Sequence, residues 1–380
     1  MTTSINNNIN YTFKMLYIIA IFMVIDGHIG TFDYLTLQGL MPYQNFHLSL
    51  FMFASGYFFK LNLTFKDFFI KKTSNLILPL YGWNIFYGLL CLILNTHFNY
   101  SLGDNFNLYN IFIAPLTDGH QFIYNMASWF IVPLFVLQII TYIILKPLTI
   151  KTPLSALKII TFFLIIFTFS SIITPFAPSR LGERDFSLLF YRTIYFYPSF
   201  AFGILYHHVL EKYDTLPTPL HLFITLITYI TLTTFFPYYN HIPSWLNFLN
   251  EPAYILFLIS FTAIIFWLRI SRCLSYLVQQ SKTLSLISNH TFAIMLHHFI
   301  GFVILKNIFS FFFHDINLHE VRTNIWYNYF PFSENISTPI ILTITLAITF
   351  LIDFVKDALF KTIKRHINTL NKKENIISNT

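Results

Sequence analysis

An all-α, polytopic integral membrane protein is the fold class the sequence predicts, and three observations predict it. Only 10% of the 380 residues are charged and 55% are hydrophobic. Soluble chains carry nearer a quarter of charged residues, so this one has too few to cover a water-facing surface. Apolar runs of roughly 17–25 residues recur from end to end, each long enough to cross a hydrocarbon core about 30 Å thick. The third observation is that Lys and Arg crowd to one side of the spans those runs define. The alternating pattern of a membrane β-barrel is absent.

Taken in order, the apolar windows are about 14–31, 46–60, 76–95, 129–146, 157–175, 187–207, 219–236, 252–269, 284–306 and 337–356. The first follows a polar, Asn-rich segment, 1–12, expected to be disordered. Only Lys14 precedes it and no small-residue cleavage site follows, so it reads as a retained span and not a leader. The second, "FHLSLFMFASGYFFK", begins at a histidine and ends at Lys60. The fourth is entered through Trp129, the sixth carries Arg192 mid-span, and the ninth holds the His297–His298 pair. Residues 13–358 form one transmembrane domain on this reading, and 359–380 a basic cytoplasmic tail. The long connections 96–128 and 307–336 carry aromatics and are expected to cap the outer face or bind a substrate there.

With a cytoplasmic N-terminus, eighteen of the 23 basic residues lie inside, four (Arg180, Arg184, Lys306 and Arg322) lie outside, and Arg192 falls within a span. Basic residues are retained on the cytoplasmic side, so about ten crossings with both termini cytoplasmic are expected. A bacterial-type inner-membrane protein is oriented in this way. The net charge of +7 is thereby topology, not a nucleic-acid surface. Cys91 and Cys273 form no disulfide framework, and no Cys/His spacing suggests a structural zinc site; no metal is expected.

Ionisable residues inside spans are costly and are functional candidates by default. Lys14 and His28 are separated by roughly 21 Å along a helix, so Lys14 belongs to the inner surface and His28 to the outer one. His47 opens the next, descending span and approaches the same level. A histidine titrates near neutrality and can take the proton of an alcohol attacking an acyl carbon; the plainer role is an interfacial polar anchor. Asp26 points away from His28, because one helix face recurs every three or four residues. It is expected to pair with Arg192, the alternative being that it holds substrate. Of His297 and His298, turned about 100° apart, at most one faces a given cavity, for packing or for orienting substrate. No GxSxG elbow, HExxH or P-loop is present.

Four stretches in order resemble the signatures of the membrane acyltransferase-3 family. "IAIFMVIDGHIG" is similar to its first-helix motif, and "FHLSLFMFASGYFFK" to its second, an aromatic-His pair followed by Ser-Gly-aromatic. "SWFIVPLFVLQ" is similar to its Trp-Phe-Leu entry into a middle helix, and "ISNHTFAIMLHHFI" to its late helix ending in Leu-His. The closest flavour is the fucose 4-O-acetylase-like branch of sugar O-acetyltransferases. The resemblance implies transfer of an acyl group, often acetyl, from cytoplasmic acyl-CoA to a hydroxyl of a surface glycan or its lipid-linked precursor. It makes His28 and His47 the catalytic candidates. Asp26, Ser55, Gly56, Tyr57, Trp129, Arg192 and His297 become substrate-side candidates, with Gly56 letting a helix or the donor's thin arm pass close to the backbone. Tyr17 stands where the family often has a basic residue, and Asn75 stands near its arginine before the third helix. Lys14, Lys71 and Lys72 are the cations left to hold acetyl-CoA or another acyl-CoA. Competing readings are a glycan or small-solute transporter or flippase, and an inactive relative serving as a sensor or assembly partner.

Overall fold

A chain surrounded by lipid must satisfy its backbone amides internally, which helices do within a single segment. The computed structural model describes residues 10–29, 36–37, 39–150, 153–177, 186–236, 252–313, 317–324, 340, 343–352, 354–355 and 358, and among these there is no strand. Helices α1 (Tyr11–Ile29), α2 (His47–Tyr57), α3 (Phe65–Lys72), α4 (Leu78–His97), α5 (Ile131–Leu148) and α6 (Ala156–Ile173) form the first half. They are followed by α7 (Phe186–Leu205), α8 (Thr218–Phe235), α9 (Ala253–Gln280), α10 (Lys282–Asn289), α11 (Thr291–Phe312) and α12 (Leu318–Thr323).

Each expected window coincides with one of these helices or, for 337–356, with the short apolar helix Thr343–Ile352. Seven helical stretches among the described residues are long and apolar enough to cross a bilayer. Of the three remaining windows, 337–356 lies partly outside the described residues, and the other two fall short for physical reasons. Helix α2 has 11 residues and so covers about 16 Å, half a hydrocarbon core. Helix α7 has 20 residues but carries Arg192 and several hydroxyls, which lower its hydropathy. Helix α1 starts at Tyr11, inside the segment 1–12 expected to be disordered. Residues 1–9, Arg180, Arg184, all of 325–339 and the tail 359–380 lie outside the described residues.

Polar caps start the helices near the basic side. Thr64 accepts from the Asp67 amide at 3.2 Å at the head of α3. Ser155 and Ser281 do the same for α6 and α10. Helix α3 buries Phe68 against the Tyr142 ring, with centroids 4.5 Å apart, and leaves Lys66 and Lys71 exposed. That one-sided pattern is that of a helix lying at an interface. Leu164, Ile165, Phe223 and Ile227 on α6 and α8 are exposed, as a lipid-facing perimeter requires.

Helices α2 and α7 form the centre of the bundle and touch backbone to backbone. A Cβ on Gly56 would meet the Phe200 carbonyl oxygen at 1.9 Å, and one on Gly203 would meet that of Phe53 at 2.1 Å. Close approach through small residues is how helices associate when lipid removes the hydrophobic drive between them. The room left by Gly56 is therefore taken by α7. Of the two possibilities raised for Gly56, a helix or the donor's arm close to its backbone, it is a helix that lies there.

The connection 96–128 is not a loose loop. Its second half folds inward as short turns, burying Asn110, Thr117, Asp118, Gln121 and Asn125. Asn84 of α4 holds it by donating to the Asn110 and Ile111 carbonyls at 3.1 and 2.7 Å, while Gln121 donates to the Asn84 side-chain oxygen at 2.5 Å. Gly119 has a φ of +71°, and a Cβ there would sit 2.7 Å from Cβ of Trp129. Only glycine fits that turn.

Candidate active site

The last turn of α1 presents His28, whose ring stacks on that of His298 with centroids 5.2 Å apart and 25° between planes. Phe299 lies 4.6 Å from the same ring. His47 and His120 are also close enough for their charges to act on His28. His28 and His298 thus meet ring to ring, with His47 of α2 and His120 of the inward-folded segment within electrostatic reach of His28. His28 and His47 are half-buried, and His298 is fully buried.

Hydrogen bonds fix the tautomers of two of them. His47 Nδ1 lies 2.7 Å from the Tyr43 carbonyl oxygen, and His298 Nδ1 lies 2.8 Å from that of Met295. A carbonyl only accepts, so each Nδ1 carries the proton and the lone pair is on Nε2. For His298 that Nε2 is buried and has no hydrogen-bond partner. Such an atom costs free energy until something donates to it, and a substrate hydroxyl is such a donor.

His297 is turned the other way. Its Nδ1 bonds to the Tyr87 hydroxyl at 2.7 Å and its ring packs 4.2 Å from Trp83. Of the pair, the one whose ring meets His28 is His298, and not His297, the member expected on the substrate side. The adjacency that made the two indistinguishable in the sequence is resolved by which side α4 occupies. His120, inside "TDGHQF", gave no signal of its own; only the fold of its segment brings it in.

Arg192 reaches the same region from α7. Its guanidinium donates to the Asp118 carbonyl at 2.8 Å and the Thr117 carbonyl at 3.4 Å, and lies 4.5 Å over the Trp129 ring. His120 neighbours Trp129 at 6.4 Å, and its amide donates to Asp118 Oδ1 at 3.1 Å. Arg192 and Trp129 thereby hold the inward segment against the histidines, a stacked cation doing what a short side chain could not. Asp26 is buried one turn into the same helix end.

The residues grouped on α2 separate. His47 and Tyr57 are ten positions and about 15 Å apart along the axis, so they belong to different ends. Tyr57 donates to the Glu211 carboxylate at 2.9–3.0 Å and packs 4.5 Å from His207. It lines a cleft of about 680 Å³ together with Asn10, Lys60, Thr149, His207 and His208. Ser55, half-buried, lies between the two ends. Lys71 and Lys72 end α3, with Lys72 packed 5.4 Å from the Phe68 ring, and neither lines this cleft. Lys14 lies near it, four residues from Asn10, with its amine 6.0 Å from the Tyr11 ring.

A family model described as an acyltransferase domain matches residues 11–354, nearly the whole chain. No curated protein and no solved structure matches it.

Proposed function

The chain belongs to the acyltransferase-3 family, and from that premise we propose that it moves an acyl group, acetyl in the first instance, from cytoplasmic acyl-CoA to a hydroxyl of a surface glycan or its lipid-linked precursor. The observation that carries this reading is the ring-to-ring meeting of His28 and His298 inside a membrane protein, with His47 and His120 within electrostatic reach of His28. General-base attack on a thioester needs a basic nitrogen within reach of the alcohol, and nothing more elaborate. His28 is the base in this proposal. His298, stacked on it, and His47 orient the acceptor hydroxyl. Arg192 and Trp129 hold the segment that covers the acceptor.

The donor enters at the other end. The cleft at Tyr57, Lys60, His207 and His208 is largely apolar, with Lys60 and the two histidines as its basic groups, and in this proposal it lies toward the side rich in basic residues. Lys60, with Lys14 nearby, takes the place of Lys71 and Lys72 as the proposed partner for the donor's phosphates. The acyl-bearing arm then has the length of α2, about 15 Å, to cover before its thioester meets the histidines. The hydroxyl loses its proton to His28, its oxygen bonds to the acyl carbon, and the thiolate of the carrier leaves and takes up the proton.

The test supplies radiolabelled acetyl-CoA to membranes containing the protein or its His28→Ala variant and follows label into isolated surface glycan. Label from the native chain and a loss of about 10²–10⁴-fold from a folded variant is expected. Equal labelling by both removes His28 as the base.

A further inference from the structure

We infer that an apolar groove between the outer halves of α4 and α11 holds the hydrocarbon tail of the acceptor, a single-chain lipid phosphate that carries the sugar. This rests on the acyl-transfer reading above and names the form in which the acceptor arrives. The groove has a volume of about 570 Å³ and is lined by Leu90, Leu94, Ile300, Val303, Ile304 and Phe311. Cavities of this size and lining are those that take small ligands. Bare bilayer lipid would satisfy such a lining, but two further features ask for more.

The first is Tyr124, on the groove wall. It is fully buried, and its hydroxyl has no hydrogen-bond partner. A phenol placed so in an apolar wall is costly unless a bound molecule pairs with it. The second is the rim. Tyr100 donates to Asn307 at 2.5 Å there, and the Arg322 guanidinium lies 5.6 Å from the Tyr100 ring. The Ser101 amide bonds to the Arg322 carbonyl at 3.0 Å, which fastens that arginine to the mouth. Its Nε is buried with no hydrogen-bond partner. An apolar trough with a cation and hydroxyls at the outer lip matches a molecule with a narrow tail and an anionic head.

The groove lies on the face of α11 that carries His297, since Ile300 and Ile304 follow that residue by three and seven positions, and the Tyr124 ring lies 6.3 Å from Tyr87, which bonds to His297. Asn307 stands nine residues beyond His298, about 14 Å along the helix. A tail in the groove with its phosphate at the rim leaves that distance for the glycan to bridge.

The experiment uses the full-length protein in nanodiscs and a diazirine-bearing geranylgeranyl phosphate as probe, with labelled peptides mapped by mass spectrometry. Labelling within 90–94 and 300–312 is expected, competed by unlabelled geranylgeranyl phosphate and not by dioleoyl phosphatidylglycerol. Ile304→Trp, or Leu94→Trp should that variant fail to fold, abolishes it, and His28→Ala leaves it unchanged. Arg322→Gln weakens competition by the phosphate about tenfold relative to the corresponding alcohol, the size of one lost charge-assisted hydrogen bond. Equal competition by phosphatidylglycerol would mean that the groove holds ordinary bilayer lipid, and labelling elsewhere would mean that it holds no prenyl phosphate; either overturns the inference. Because labelling needs no turnover, a protein that labels but transfers nothing sinks the acyl-transfer reading instead.

Discussion

At the scale of single residues, the site is a problem of which nitrogen points where. His28 was legible in the sequence because an imidazole at the end of an apolar helix is expensive and has few uses. His298 was not separable from His297, since a one-residue step of 100° decides the facing and only the neighbouring helices say which way is inward. The structure answers with two different chemistries on adjacent positions. His297 is held by the Tyr87 hydroxyl, whereas His298 keeps a buried Nε2 with no hydrogen-bond partner beside the His28 ring. Acyl transfer by His298→Ala should fall about 10²-fold or more in kcat, as for a group that acts in the transition state. His297→Ala should act mainly through folding, because it strands the Tyr87 hydroxyl at 0% exposure and costs about 1–3 kcal/mol. Kinetics and thermal melting on both variants check the pair, and the reverse assignment would move the reactive centre to the α4 side.

Among the elements, helix positions were legible and helix lengths were not. Apolar windows mark where a chain can be helical, but they do not see that α2 stops after Tyr57, half a bilayer from its start. The Ser-Gly-Tyr step reads in sequence as an opening. Its neighbour Gly203, 147 positions away, could not be paired with it before the fold brought α7 across α2. The crossing is reciprocal, since each glycine faces the backbone three residues before the other. Gly56→Ala and Gly203→Ala should each destabilise the protein by about 1–3 kcal/mol or more, the range for overpacking, because the added methyl meets backbone and not a movable side chain. The double variant should cost less than the sum, since helices pushed apart once have already made room. Gly82→Ala, with nothing within 4 Å of the added carbon, is the neutral control. Detergent-solubilised melting curves decide it, and strict additivity would mean that the two contacts are independent.

Over the whole molecule, polar side chains collect at two levels with an aromatic interior between them. The charge asymmetry in the sequence leads one to expect two unlike sides and says nothing of what ties the helix ends together. Toward the basic side, one carboxylate gathers three helices. Asp214, between α7 and α8, accepts from the Tyr206 hydroxyl at 2.5 Å and pairs with Arg269 and Arg272 of α9, with His221 of α8 at 3.5 Å. Burial alone would push its carboxyl up; the Tyr206 hydrogen bond, then the two arginines and His221, outweigh it and hold it below the ordinary carboxylate value. A carboxyl depressed in the folded state stabilises fully above its unfolded value, near 3.9. That contribution is lost as pH falls below this and through the lower folded value. The folded protein should therefore keep this joint at pH 5 and lose it only in acid strong enough to protonate a carboxylate held below its ordinary value. Asp214→Asn should lose about 3–5 kcal/mol at neutral pH, because Arg269 would stay buried without its counter-charge. It should also flatten the acid limb of the melting curve. A variant as stable as the native chain at pH 7, with an unchanged acid limb, would show that the arginines find other partners and that these ends of α7, α8 and α9 are held by packing alone.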